Sequence, residues 1–121
     1  MDNKKKIPLN LNELTDILYK YYRENPFLHV FVNIDGTNYG SPCDSPYVSN
    51  DNNLIFDFDD SEVQDVETIL DLFENCNNET HENQRGGYSF VSNPCVCISY
   101  EEINKPIYNI IKTNSGIHII T

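Results

Sequence analysis

Residues 54–73 have the sequence LIFDFDDSEVQDVETILDLF, which predicts a strand followed directly by a helix. In the run Leu54–Asp59 successive side chains alternate between two faces, and one face carries only apolar residues. Ser61 is the predicted N-cap of the helix, because Gln64 occupies the capping-box position three residues later. The predicted buried stripe, at helical spacing, consists of Val63, Val66, Ile69, Leu70 and Phe73.

A second amphipathic pattern, earlier in the chain, predicts another helix. Asn10 is its expected N-cap, with Glu13 in the capping-box position. The pair Asn25-Pro26 ends this helix, because a residue before proline avoids the helical conformation. The apolar stripe of the helix consists of Leu11, Leu14, Ile17, Leu18 and Tyr21. Tyr19 and Tyr22 lie off this stripe and are candidate anchors for a partner protein.

The remaining apolar runs are short and predict strands. The pair Asp35-Gly36 is typical of a hairpin turn. Residues 41–53 and 77–87 are polar and are expected to be irregular surface segments, the second of them mobile. Pro106 limits any helix after Ser99 to one or two turns. The predicted strands lie at 27–34, 37–40, 88–91, 95–99, 107–112 and 117–120.

The order of these elements, α-β-β-β-α followed by strands, predicts an α+β fold. We expect two helices to pack on one mostly antiparallel sheet, in a single compact domain that spans residues 1–121. Residues 1–9 include three consecutive lysines and are expected to form a flexible basic tail. No repeat or linker divides the chain.

Composition and charge exclude several classes of function. The net charge of −11 makes direct binding to nucleic acid or to an anionic membrane unfavourable. No apolar run approaches the roughly 20 residues needed to cross a bilayer. Lys4–Lys6 are not followed by the apolar segment of a secretory signal. We therefore expect a protein of the bacterial cytoplasm. The composition, with 17 Asn, 13 Ile and no Ala, is typical of a protein encoded by AT-rich DNA, as in a phage or mobile element.

The four cysteines, Cys43, Cys76, Cys95 and Cys97, are expected to be free thiols, because a chain without a secretion signal stays in a reducing compartment. Neither these cysteines nor the three histidines have the ligand spacing of a structural zinc site. We therefore expect no metal and no cofactor.

The acidic residues are concentrated in one block. Residues 51–84 contain eleven Asp and Glu residues and no Lys or Arg. Asp59, Asp60 and Glu62 are expected to interact with the positive end of the second helix. The remaining helical acids, Glu67, Asp71 and Glu74, lie at i, i+4 and i+7 and form an outward stripe without a structural explanation. Two neighbouring carboxylates of this stripe are about 6 Å apart along the helix axis, a spacing similar to that of phosphates along a nucleic-acid strand.

The segment 54–61 also resembles the first motif of the haloacid-dehalogenase phosphotransferases, an apolar strand that ends in Asp-x-Asp. The resemblance implies that Asp57 is a nucleophile, that Asp59 is a general acid/base and that Mg²⁺ is bound. It covers only this segment, and Lys105 and Lys112 are the only lysines that follow it. The same sequence is also explained by an exposed strand in which Asp side chains point outward and Phe side chains point inward. A small Mg-dependent phosphotransferase therefore remains an alternative.

The function that we favour from the sequence is a non-catalytic acidic inhibitor of the anti-CRISPR or another anti-defence type. It would bind the basic nucleic-acid-binding surface of a target protein, such as a nuclease, as a nucleic-acid mimic. The predicted contact residues are Asp59, Asp60, Asp65, Glu67, Asp71 and Glu74.

Two further alternatives fit the same sequence. One is an immunity protein that neutralises a basic nuclease toxin. The other is a homodimer or larger homo-oligomer whose final hairpin pairs edge to edge. The inhibitor needs no direct contact with nucleic acid or membrane.

Overall fold

A computed structural model of the chain describes residues 7–121. The three lysines of the predicted basic tail lie outside these residues. At the described end of that tail, the Leu9 N–H donates to the Ile107 carbonyl at 2.8 Å, so Leu9 is already part of the folded structure. No helix among the described residues is long and apolar enough to cross a membrane.

The structure contains two helices, α1 (Leu11–Glu24) and α2 (Val66–Cys76). Both capping-box bonds predicted for α1 are present, from the Glu13 N–H to the Asn10 side chain and from the Asn10 N–H to the Glu13 carboxylate. In α2 the predicted buried stripe is confirmed at Val66, Ile69, Leu70 and Phe73 and continues to Cys76. Val63, the first predicted residue of that stripe, precedes the helix and is exposed.

The start of α2 differs from the prediction. Its N-cap is Asp65, whose carboxylate accepts a hydrogen bond from the Thr68 N–H at 2.9 Å. The predicted cap, Ser61, instead donates its hydroxyl and its N–H to the Asp59 carboxylate. The Gln64 N–H donates to the Ser41 hydroxyl oxygen, and residues 64 and 65 form a short strand. Tertiary contacts therefore override a local capping signal.

Within residues 7–121, eleven strands surround the helices and form three sheets. The largest sheet has the order β10-β11-β1-β2, with β5 also paired to β1, and the second has the order β3-β4-β8-β9. A separate hairpin consists of β6 and β7. The strand bounds are β1 His29–Ile34, β2 Thr37–Tyr39, β3 Tyr47–Val48, β4 Leu54–Phe56, β5 Gln64–Asp65, β6 Glu79–Glu82, β7 Tyr88–Val91, β8 Val96–Tyr100, β9 Ile103–Pro106, β10 Asn109–Thr113 and β11 Gly116–Ile120.

The α+β class with two helices and mostly antiparallel strands is confirmed. The single sheet that we expected is instead divided into three. Two pairs are parallel, β1 with β11 and β4 with β8. The predicted third strand ends early, since β4 contains only Leu54–Phe56 and Phe58 forms an isolated bridge with Pro42.

Two segments that we predicted to be irregular contain strands. Residues 41–53 include β3, and residues 77–87 include β6. The second segment therefore supplies the first strand of a hairpin and its turn. No helix follows Ser99 among the described residues, which agrees with the limit of one or two turns that Pro106 sets. Glu101 and Glu102 have φ values of 49° and 66° and form a tight turn between β8 and β9.

The core lies between the helices and the two larger sheets. Val30, Val32, Ile117 and Ile119 face the helices from the first sheet and are fully buried. From the second sheet, Phe56 contacts Phe73 of α2 with ring centroids 5.0 Å apart. This contact fixes α2 on the second sheet and leaves its acidic face in solvent.

Candidate functional site

An open cleft of about 830 Å³ lies beside the acidic face of α2. Its lining also includes four apolar residues, of which only Leu72 is partly exposed, whereas Pro42, Pro46 and Ile69 are buried. No Lys or Arg lines it among the described residues. The carboxylates around it are Asp44, Asp59, Glu62, Glu67 and Asp71.

Residues 57–62, which connect β4 to the α2 region, are held against residues 40–43 by backbone hydrogen bonds. The Cys43 N–H donates to the Asp57 carbonyl at 2.7 Å, and the Asp59 N–H donates to the Ser41 carbonyl at 3.0 Å. The Ser41 N–H donates to the Glu62 carbonyl at 3.1 Å. We call this contact between residues 40–43 and 57–62 the backbone clamp. It brings Asp44 and Glu62 to the same cleft as Asp59.

Ser41 and Gly40 allow the two segments of the backbone clamp to approach each other closely. The buried Ser41 hydroxyl donates to the Val30 carbonyl at 2.6 Å and accepts from the Gln64 N–H at 2.7 Å. At Gly40 a Cβ atom would lie 1.6 Å from the Asp59 carbonyl oxygen, so only glycine allows this approach. The two segments therefore pack with backbone directly against backbone.

Two carboxylates of the predicted site have specific local partners. The Ser61 hydroxyl, and then the Ser61 N–H, hold the pKa of Asp59 below its ordinary value, so Asp59 is ionised at neutral pH. The Asp65 carboxylate is engaged as the cap of α2. Asp65 therefore has a structural role, whereas Asp59 lines the cleft.

The acidic stripe of α2 borders two different depressions. Glu67 and Asp71 line the cleft. Glu74 lines a smaller groove of about 350 Å³ between the helices, together with Asp16 and Tyr19. Glu67 also lies in the first turn of α2, where the helix dipole stabilises an acid. The dipole explanation therefore applies to Glu67 and not to Asp59, Asp60 and Glu62, which precede the true start of the helix.

The structure thus brings together Asp59, Glu67 and Asp71 of the six predicted contact residues. It separates Asp65 and Glu74, and Asp60 is exposed but lines neither depression. Asp44 was missed because it lies outside the base-free block 51–84, in a loop with no other sequence signal. Glu62 was not among the predicted contact residues, because an interaction with the helix dipole was expected to explain its charge.

The two candidate anchors on α1 have unequal exposure. Tyr19 is 47% exposed and lies beneath the Arg23 guanidinium, 5.0 Å from the ring centroid. Tyr22 stacks on Tyr19 at 5.9 Å but is half-buried against the core. Tyr19 is therefore accessible to a partner, at the groove that also contains Glu74 and not at the cleft.

The cleft is also lined by a histidine and two thiols. His81 donates its Nε2–H to the Cys76 carbonyl oxygen at 2.8 Å. Burial raises the pKa of the Cys76 thiol to about 11. Burial, and then the charges of Asp59, Asp57 and Glu62, raise the pKa of the Cys43 thiol. Cys43 therefore responds to the electrostatic potential of the cleft.

We expect Cys43 to alkylate faster when cleft carboxylates are neutralised. In the variant Asp59→Asn/Glu62→Gln, on a Cys95→Ser background, the rate with iodoacetamide at pH 8 should rise about two- to threefold, because a lower thiol pKa gives more thiolate. The measurement is mass spectrometry of the Cys43 peptide over time. The matched control Glu101→Gln/Glu102→Gln should leave the rate unchanged, and an unchanged rate in the cleft variant would contradict the charge assignment.

The residues of the phosphotransferase alternative are also described. Asp57 follows β4 directly and is exposed, and Asp59 is hydrogen-bonded to Ser61. Lys105 contacts Asp35 at 3.7 Å. Within residues 7–121, no group of three or more His, Cys, Asp or Glu side chains has the arrangement of a metal site.

No protein-family model, no curated protein and no solved structure matches the chain.

Proposed function

We propose that this protein is a non-catalytic acidic inhibitor, encoded by a phage or mobile element, of the anti-CRISPR or another anti-defence type. It acts in the cytoplasm of a bacterial cell and binds a basic nucleic-acid-binding surface of a target protein. The observation that carries the proposal is the cleft, which five carboxylates and, within residues 7–121, no Lys or Arg line.

The cleft has the chemistry to receive basic side chains. Arg and Lys combine a charged end group with an aliphatic stem. The partly exposed Leu72 suits the stem, and the carboxylates of Glu67 and Asp71 suit the charge. A nuclease or nucleic-acid-binding complex presents such side chains for phosphates, so occupation of the cleft would compete with its natural ligand.

The net charge of −11 supports the same type of partner. An excess of negative charge accelerates encounter with a basic surface and repels nucleic acid. Association with the target is therefore expected to be fast and to weaken as salt is added.

The test is recovery of partners on the tagged full chain from bacterial cells, at low and at physiological salt. Wild type should retain a basic nucleic-acid-binding protein, and added duplex DNA or RNA should displace it. The double variant Glu67→Lys/Asp71→Lys should weaken that complex at least about tenfold, because it reverses the charge of two cleft carboxylates. Both residues are exposed, so the fold should be retained.

The matched control is Glu101→Lys/Glu102→Lys, which changes the net charge equally at exposed residues outside the cleft. It should bind as wild type does, apart from a smaller salt-dependent effect. Equal recovery with the cleft variant, or no partner even at low salt, would refute the proposal. Phosphatase activity with Mg²⁺ that disappears in Asp57→Asn would instead support the phosphotransferase alternative.

A further inference from the structure

The edge of β7 differs from the other long edge strands of the described chain. β9 contains Lys105 and Pro106, and β10 contains Lys112; such residues disfavour edge-to-edge pairing. β6 carries two glutamates. Among residues 7–121, β7 (Tyr88–Val91) pairs only with β6, and it contains neither a charged residue nor proline. It is therefore the least protected of these edges.

The backbone of β7 offers hydrogen-bonding groups on its open side. The Asn83 N–H donates to the Gly87 carbonyl at the hairpin turn, and Glu82 is opposite Tyr88 in the next pair. Hydrogen-bonded and non-bonded pairs alternate along an antiparallel ladder. The N–H and C=O groups of Tyr88 and Phe90 therefore point away from β6, where another strand could bind them.

The same two residues form an exposed aromatic face. Tyr88 is 72% exposed and Phe90 is 65% exposed, and they lie two residues apart on one side of the hairpin. Their cross-strand neighbours are Glu82 and Thr80. His81, on the opposite side of β6, lines the acidic cleft. The aromatic face is thus separate from the cleft.

We propose that two copies of this chain associate by antiparallel pairing of their β7 edges about a two-fold axis at Ser89. The pairing joins two two-stranded hairpins into one four-stranded sheet, which is more stable than an isolated hairpin. Tyr88 then lies opposite Phe90 of the second copy, and the reverse contact forms on the other side of the axis. Aromatic pairs of this kind stabilise sheets. The segment is complementary to itself in both hydrogen bonds and side chains.

Electrostatics permits this contact between two acidic chains. Residues 83–100 contain no Asp or Glu. The nearest glutamates are on β6, and the two β6 strands would be three strand spacings apart, about 14 Å. That distance exceeds the screening length of about 8 Å at physiological salt. Because both copies carry the same net charge of −11, added salt should still strengthen this association, whereas it weakens binding at the cleft.

The test is sedimentation equilibrium of the full chain over a dilution series that begins near 1 mM, because an edge of four residues makes a weak interface. The weight-average mass should rise from 14.0 kDa towards twice that value as concentration increases, and more so at 0.5 M than at 0.15 M NaCl. Amide NMR signals of Tyr88 and Phe90 should shift with concentration in parallel.

Phe90→Lys and Tyr88→Lys should remain monomeric throughout, and their far-UV circular dichroism should equal that of wild type because both side chains are exposed. Ile103→Lys, at a residue 58% exposed on β9, is the matched control and should associate like wild type. The proposal is overturned by a monomeric wild type in both salts or by undiminished association of Phe90→Lys. Loss of association in Ile111→Lys alone would overturn it too, and would move the interface to the final hairpin. Because this test needs no basic partner, its result is independent of the proposed inhibitor function.

Discussion

The variant Gly40→Ala is expected to lose about 3 kcal/mol or more of unfolding free energy, although it adds only a methyl group. The new Cβ would lie 1.6 Å from the Asp59 carbonyl oxygen and 2.7 Å from that of Glu62. Both obstacles are backbone atoms of the backbone clamp, so no rotation of a side chain can relieve the overlap. Either residues 57–62 move away or the hydrogen bonds of Ser41 break.

Urea denaturation followed by far-UV circular dichroism measures this loss. The matched control is Gly87→Ala, where the nearest atoms to a Cβ are those of the Asn83 side-chain amide at 3.7 and 3.8 Å. That variant should stay within about 0.5 kcal/mol of wild type. If Gly40→Ala were as stable as wild type, the close approach of the two segments would be incorrect.

The variant Phe73→Ala is expected to lose about 3–5 kcal/mol. Phe73 is fully buried on α2, and its ring packs at 47° to that of Phe56 in the second sheet. Truncation removes this aromatic pair and leaves a cavity between the helix and the sheet. A loss of this size is a large part of the 5–15 kcal/mol typical of a whole domain.

The same denaturation experiment applies, with Phe27→Ala as the control. Phe27 is 70% exposed, so removal of the same ring there should change stability by less than about 1 kcal/mol. In the double variant Phe56→Ala/Phe73→Ala the two losses should not add, because the residues share one contact. Equal effects of Phe73→Ala and Phe27→Ala would contradict the packing of α2 on the second sheet.

The sequence was sufficient for elements whose signals are local. The first helix is correctly predicted because its cap, Asn10, and its capping-box partner, Glu13, bind each other without help from the rest of the chain. The same pattern at Ser61 and Gln64 failed, because Ser41, twenty-three residues from Gln64, binds the Gln64 N–H. The turn at Glu101 and Glu102 could not be predicted, because neither of these positions with positive φ is occupied by glycine or asparagine.

The candidate site shows the same division. Glu67 and Asp71 follow from helical spacing alone, and both line the cleft. Asp44 joins them only because the backbone clamp folds its loop against the segment after β4, a long-range contact that no local pattern predicts. Helical spacing also predicts Glu74 beside them, but in the structure Glu74 lies in another groove, between α1 and α2.

The backbone clamp has a kinetic consequence for recognition. Asp59 and Glu62 lie on a segment whose main chain is tied to residues 40–43, and Glu67 and Asp71 lie on a helix docked into the core. The backbone that carries these carboxylates is thus ordered before any partner arrives, and binding loses little conformational entropy there. A preorganised charge template of this kind can bind at the rate of electrostatically guided collision, without a preceding rearrangement of its own main chain.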